Sequence, residues 1–246
     1  MSVETVEELA ALRAAGRVVA EALRMMRRAV RPGVRTGELD AVAGFVFRRA
    51  GARSGPQLDY GFPGVTCISV NDEATHGIPG SRRLREGNLV KLDVTAELDG
   101  FYADACVTVP VGRARAGDLR LVATANQALA AGMRAARVGA PLNVIGAAVE
   151  ATVVADGYAV CTELMGHGIG RRIHEAPQVP NHYVSHLSQR LTDGLVLTIE
   201  PIISAGSGAV RVTSDGWTVR TSDGARSAHA EHTVVVRDSA PVVLTI

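Results

Sequence analysis

The residues that could do chemistry are four carboxylates and one imidazole: Asp93, Asp104, Glu200, Glu231 and His167. The two aspartates lie in one stretch, L-V-K-L-D-V-T-A-E-L-D-G-F-Y-A-D-A-C-V-T-V, from Leu89 to Val109. Apolar, β-branched runs flank Asp99-Gly100, a strong signal for a two-residue type I′ turn. With those two residues as the turn, Thr95 faces Asp104, and Asp93 shares the face of Thr95 because side chains alternate with period two. The two carboxylates are then diagonal neighbours, roughly 7 Å apart at Cβ. Such a pair in apolar surroundings needs either a captured proton or a cation between its members. His167 is bracketed by glycines in G-H-G-I-G, Glu200 ends the apolar run L-V-L-T-I-E, and Glu231 precedes the apolar H-T-V-V-V. Each alone has a plainer reading, a solvated strand end for the glutamates and a turn for the histidine. Together, in an apolar strand framework, they form an oxygen-rich donor set with one nitrogen, suited to manganese, iron, cobalt or zinc. Carboxylates that can bridge suit two cations rather than one. Two cations about 3.5 Å apart can share a hydroxide and stabilise a tetrahedral oxyanion.

The elements that must position these residues follow from periodicity. Leu9, Leu12, Ala15, Val19, Leu23 and Met26 recur at helical spacing and predict a helix from about Thr5 to Val30, acidic at its start and arginine-rich at its end. Thr36 is the expected N-cap of a second helix ending at Gly51. Ser54 to Gly64 reads as a Gly/Pro-rich loop, Val65 to Val70 as a short strand, and Asn71-Asp72-Glu73 as a turn. Two further helices are predicted over Asp118–Val138 and Pro141–Asp156. Tyr158–Leu164 reads as strand, the segment after Glu175 as a Pro-rich loop, and Gly194–Glu200 as an apolar strand. Short strands are expected over Ala209–Val212, Trp217–Thr221, His229–Val236 and Val242–Ile246. Helices and then strands occur twice in this order, which predicts an α+β fold of two related halves, about 1–110 and 111–246, packed as one domain over 1–246.

Bulk properties exclude several classes. Hydrophobic residues make up 47% and charged residues 21%, with a net charge of +1, so a nucleic-acid binder is not indicated. No apolar run is long enough for a membrane span, and the acidic start lacks a signal-peptide pattern. Three scattered cysteines, Cys67, Cys106 and Cys161, fit reduced thiols in a cytoplasm. G-x-S-x-G is absent, against a serine hydrolase, and Arg171 follows Gly166-His167-Gly168-Ile169-Gly170 where a dinucleotide fingerprint would continue.

The ordered motifs resemble one family. They are I-S-V-N-D-E-A-T-H-G-I-P, K-L-D-V-T-A-E-L-D-G-F-Y-A-D, G-H-G-I-G-R-R-I-H-E-A-P-Q-V-P, L-T-I-E-P-I-I and D-G-W-T-V-R-T-S-D-G-A-R-S-A-H-A-E-H-T-V-V-V, and they cover nearly the whole chain. In combination they resemble the methionine aminopeptidases of the pita-bread fold, a curved antiparallel sheet with outer helices. The spacings between successive candidates are 11, 63, 33 and 31 residues. The short last gap is similar to the type I, short bacterial form.

The resemblance implies that Asp93, Asp104, His167, Glu200 and Glu231 hold two divalent cations (cobalt, manganese, iron, zinc or nickel), with Asp104 and Glu231 bridging. It implies removal of N-terminal Met from peptides and nascent chains when the second residue is small, by attack of a bridging hydroxide. Glu200 is the expected proton shuttle, His174 the contact to the scissile carbonyl and its oxyanion, and His76 the contact to the substrate amide. Cys67, Tyr60, Phe62, His76 and Trp217 are the expected walls of a Met-sized slot. Asp59, Tyr60 and Thr75 depart from residues common in the family at this rim. His182, His186, His229 and His232 are expected to have no catalytic part. A monomer is expected in the cytoplasm, without membrane or specific nucleic acid, with transient ribosome contact through the basic Arg82-Arg83-Arg85 turn left open. The alternatives are a pita-bread X-Pro aminopeptidase or dipeptidase, and a pita-bread binding protein without metal.

Overall fold

Asp99 and Gly100 both adopt positive φ, 51° and 83°, in the computed structural model, which describes residues 1–246. That is the type I′ geometry, and it joins strands Leu89–Leu98 and Phe101–Pro110 in the predicted register, with Thr95 opposite Asp104 and Leu98 opposite Phe101. Strand Cys67–Val70 pairs antiparallel with the first hairpin strand, placing Cys67 opposite Asp93, and the short Arg53–Ser54 strand pairs with its far end. Helices α1 (Val6–Ala29) and α2 (Thr36–Ala50) cover this sheet. The apolar stripe of α1, including Ala15, Val19, Ala22 and Met26, is buried in one core with Val90, Leu92 and Val94. Thr5 caps α1 by accepting from Glu8 N, and Gly51 ends α2 at φ 72°. Arg35, not Thr36, is the N-cap of α2. Thr36 Oγ1 instead accepts from Gly80 N at 2.9 Å, tying the helix start to a loop.

Ser54–Gly64 is not all loop. Ser54 Oγ accepts from Gln57 N, Pro56 sits in the first turn, and a short helix, α3 (Gly55–Tyr60), ends at Gly61. The Gly/Pro content that reads as loop is here start and stop chemistry for one turn and a half.

The second half repeats the plan. Helices α4 (Ala116–Ala135) and α5 (Asn143–Ala155) pack on a sheet whose strands run Val242–Val243, His232–Val235, Val196–Ile199, Met165–Gly168 and Glu175–Pro180 in spatial order. A second ladder pairs Ile202–Ser204 with Ser227–His229 and with Ala159–Val160. The Pro-rich segment expected as loop is thus a strand, on the sheet edge, where prolines cost no ladder bond. Only Ala159–Val160 of the expected Tyr158–Leu164 strand forms, and the G-H-G segment is itself strand. The expected His229–Val236 run is broken at Ala230-Glu231, between Ser227–His229 and His232–Val235. Glu73–Thr75 and Ile202–Ser204 are additional short strands.

The halves meet along the second hairpin strand. Leu12, Phe101, Tyr102, Ile169, Ile173, Val196 and Val235 form a shared core. Asp104 N donates to Thr233 Oγ1 at 2.8 Å, and Thr233 Oγ1 donates back to Asp104 O at 2.7 Å. Glu231 N donates to Cys106 O at 2.9 Å. Lys91, fully buried, reaches from the first half to Ser227 O, Ser227 Oγ and Asn71 O at 3.0, 2.9 and 2.6 Å. No helix is long and apolar enough to cross a membrane.

Candidate metal centre

All five candidate ligands face one cavity of about 240 Å³. Asp93 and Asp104 arrive on the two hairpin strands, His167 on Met165–Gly168, Glu200 just past Val196–Ile199, and Glu231 at the break after His229. The break matters: two strands bend apart there, and the backbone of Ala230-Glu231 is held by Pro201 O and Cys106 O.

The glycines beside His167 have a steric reason. A Cβ at Gly166 would lie 2.5 Å from Thr198 O, and one at Gly168 would lie 2.1 Å from Ala176 O, so the neighbouring strands approach only because no side chain intervenes. His167 N donates to Thr198 Oγ1 at 3.0 Å, and that hydroxyl donates to Glu200 Oε1 at 2.9 Å. His167 Nδ1 lies 2.8 Å from Gly168 O. A carbonyl accepts, so Nδ1 carries the proton and Nε2 offers its lone pair to the cavity, the tautomer a metal ligand needs.

Donor atoms of Asp104, His167 and Glu231 all lie within 4.8 Å of one another. Asp93 and Glu200 flank this tight trio in the same cavity. Burial raises the carboxyls of Asp93, Glu200 and Glu231 well above their ordinary range, and like charge from neighbouring carboxylates adds to it. Burial also lifts Asp104, to about 6, and pulls His167 down to about 3. Asp104 Oδ1 and Glu231 Oε1 are buried with no hydrogen-bond partner. Orphaned carboxylate oxygens in a crowded anionic cluster are what a divalent cation satisfies, so the residues fit the metal.

Around this floor stand the other expected site residues. His76 holds a left-handed backbone, φ 54°, costly for a non-glycine residue. The next residue explains it: a Cβ at Gly77 would meet Ile68 O at 2.4 Å, and Gly77 N donates to Ser69 Oγ at 2.9 Å, so the chain is drawn tightly over the Cys67–Val70 strand. The His174 ring packs against His167 with centroids 4.1 Å apart. His76 and His174 both keep solvent access, and crowding on the cavity side lowers them from the ordinary imidazole range. Tyr60 Oη lies 2.6 Å from His174 Nδ1. The pair is hydrogen-bonded, and in the tautomer where the phenol donates, Nε2 of His174 carries the proton. Asp59 supports the same region, accepting from Tyr102 Oη at 2.8 Å and from Ile173 N at 3.2 Å. The departures at Asp59 and Tyr60 thus bind α3 to the loop that carries His174.

Phe62 and Trp217 meet edge-to-face with centroids 5.2 Å apart, and with Cys67 they make an apolar wall. Asp215 accepts from Trp217 N, Thr218 N and Thr218 Oγ1 at 2.7 to 2.8 Å, and so fixes the turn that presents the indole. His182, His186 and His232 do not line the cavity. His229 does not line the cavity either, but its buried Nε2 lies 3.8 Å from Glu200 Oε2 and 3.7 Å from Glu231 Oε2.

Comparison with known proteins places these features in a family. Residues 10–238 match the metallopeptidase family M24. The chain is 38% identical to methionine aminopeptidase 1 of Bacillus subtilis over 242 residues, covering 98% of each. It is 39% identical to the methionine aminopeptidase of Escherichia coli K12 over 248 residues, covering 100% of this chain and 94% of that protein. The crystal structure of methionine aminopeptidase from Rickettsia prowazekii superposes with a TM-score of 0.96 at 34% identity, covering 100% of both chains. A prolidase from Pyrococcus furiosus shares the fold, with a TM-score of 0.80 at 21% identity, and this chain covers 65% of it. With its pita-bread fold and a cluster of Asp, His and Glu that could hold a metal ion, this chain belongs to the metallopeptidase family M24 and, within it, to the methionine aminopeptidases.

Proposed function

We propose that the chain removes N-terminal methionine from peptides and nascent proteins whose second residue is small, with Asp93, Asp104, His167, Glu200 and Glu231 holding two divalent cations. One observation carries this reading: the orphaned carboxylates, His76, His174 and an apolar aromatic wall all face a single small cavity. The cations, when bound, supply a nucleophilic water at neutral pH and positive charge for the developing oxyanion.

The chain's own residues do the rest. Cys67, Phe62 and Trp217 take the methionine side chain, with Tyr60 and His76 at the rim. Asp93, at the inner end of the slot, draws the free α-amine, which restricts cleavage to the first bond. Glu200, its Oε1 steadied by Thr198, takes the proton of the attacking water and returns it to the leaving amine. His174 donates from Nε2 to the carbonyl oxygen as negative charge develops, and His76 contacts the amide. The site draws ligands from both halves, so residues 1–246 act as one catalytic domain. All three cysteines are free and buried, which suits a cytoplasmic monomer. Nascent chains are the natural source of such substrates, and the exposed Arg82-Arg83-Arg85 turn is the surface for a transient ribosome contact.

Release of methionine from Met-Ala-Ser, Met-Leu-Ser and Ala-Pro peptides tests the reading, with and without EDTA and added Co²⁺ or Mn²⁺. Met-Ala-Ser is cleaved only with metal. Metal-independent turnover, or preference for the Ala-Pro bond, overturns it.

A further inference from the structure

His229 ends the Ser227–His229 strand and is 2% exposed, yet neither ring nitrogen has a hydrogen-bond partner. Two unpaired nitrogens on a buried imidazole are expensive unless something meets them. Its backbone leaves the ring little freedom: His229 N donates to Thr108 Oγ1 at 2.8 Å, and Thr108 Oγ1 donates to His229 O at 2.7 Å. So fixed, Nε2 points between two carboxylates, 3.8 Å from Glu200 Oε2 and 3.7 Å from Glu231 Oε2.

The far oxygens of the same two carboxylates face elsewhere. Glu200 Oε1 receives the Thr198 hydroxyl and lies 3.5 Å from His167 Nε2, while Glu231 Oε1 is unpaired. Each glutamate therefore has one oxygen turned to the donor cluster and one to His229. The ring itself does not line the cavity, and it lies outside the tight trio of Asp104, His167 and Glu231.

We propose that His229 is a positioning residue of the metal centre: its Nε2–H is shared between the rear oxygens of Glu200 and Glu231, and this aims their front oxygens at the cations. Hydrogen bonds behind ligating groups orient them and sharpen affinity, and their loss typically costs about 10–100-fold in metal binding or activity. A closure of about 0.6 Å brings both contacts within hydrogen-bond length. The inference rests on the metal-centre reading above.

The test compares His229→Gln and His229→Met, which are similar in size and flexibility but differ in whether they carry an N–H donor. Metal affinity is read by competition with a chelating dye, and the ligand field by the visible spectrum of the Co²⁺-loaded protein. His229→Gln is expected to bind Co²⁺ about as tightly as the parent and to share its spectrum, and His229→Met to bind about 10–100-fold more weakly. Equal affinity in both variants overturns the role. A spectrum altered in His229→Gln overturns it too, because that marks direct ligation. If His229→Met does not fold, ¹⁵N–¹H spectra of the Zn²⁺-loaded parent decide: a protonated Nε2 supports the proposal, and a bare, metal-bound Nε2 overturns it. If no variant and no parent binds metal, the metal-centre reading itself fails; if the parent alone behaves as expected and the variants do not separate, only His229 loses its role.

Discussion

The Tyr60 hydroxyl meets His174 Nδ1 at 2.6 Å, and when it donates there the ring keeps its proton on Nε2, facing the cavity. Removing it leaves the ring in place but frees the tautomer. Tyr60→Phe is expected to lower kcat about fivefold with KM little changed, since one neutral hydrogen bond is worth about 1 kcal/mol; steady-state kinetics on Met-Ala-Ser checks the split. Asp104→Ala is expected to abolish turnover and to reduce metal content measured by elemental analysis, because this carboxylate belongs to the tight trio. The cluster also sets a pH response. The carboxyl of Asp104 rises to about 6 in the fold, chiefly through burial, so the metal-free folded state binds a proton that the unfolded state has released. Stability from that proton is complete below the ordinary aspartate range and is lost as pH climbs through about 6. Melts of EDTA-treated protein are expected to fall in midpoint from pH 5 to pH 7, and added metal to remove the fall; a flat apo profile would contradict the electrostatic account. At this scale the sequence was informative wherever a carboxylate interrupted apolar strand residues, as at Asp93, Asp104 and Glu200. It offered no reason to place His229 beside the cluster, because that residue sits in a polar H-A-E-H string and gains its place only through the bend at Ala230-Glu231.

Among the elements, the hairpin was legible to the residue because its turn chemistry is local: Asp-Gly dictates the loop, and the loop dictates the register. Glu175–Pro180 was not legible, because its strand character comes from a partner, Met165–Gly168, and not from its own composition. Helix α3 was hidden for a different reason, since one turn of Gly-Pro-Gln-Leu-Asp-Tyr carries no periodicity. The pairing of Met165–Gly168 depends on bare backbone. Gly168→Ala would press a methyl to 2.1 Å from Ala176 O, so the strands must part. The expected cost is about 1–3 kcal/mol of stability, with a weaker metal site because His167 moves with its strand; chemical denaturation and dye competition report the two effects separately. Lys91 is a different kind of tie. Burial draws its ammonium down to about 7, while three oxygens at 2.6 to 3.0 Å hold the charge in place. Lys91→Met removes this three-way tie, leaving Asn71 O only its bonds from Ser227, and is expected to lower the melting temperature.

For the whole molecule, neither half holds the centre alone: Asp93 and Asp104 come from one, and His167, Glu200 and Glu231 from the other. Metal bound at a hundred times its dissociation constant adds about 2.7 kcal/mol to folding, so EDTA is expected to lower the melting temperature by several degrees. The duplicated order of helices and strands was visible in the chain, but the seam was not, because it is written in contacts between residues far apart. The reciprocal bonds between Asp104 and Thr233 span 129 residues. Loops of that length close late, after local structure has formed. The candidate cation-binding cluster is therefore expected to assemble after the folding transition state. Metal then acts as a brake on unfolding and not as a template: it slows the unfolding limb of a chevron and leaves the refolding limb where it was. A refolding rate that rises with metal concentration would place the assembly of this seam earlier on the path.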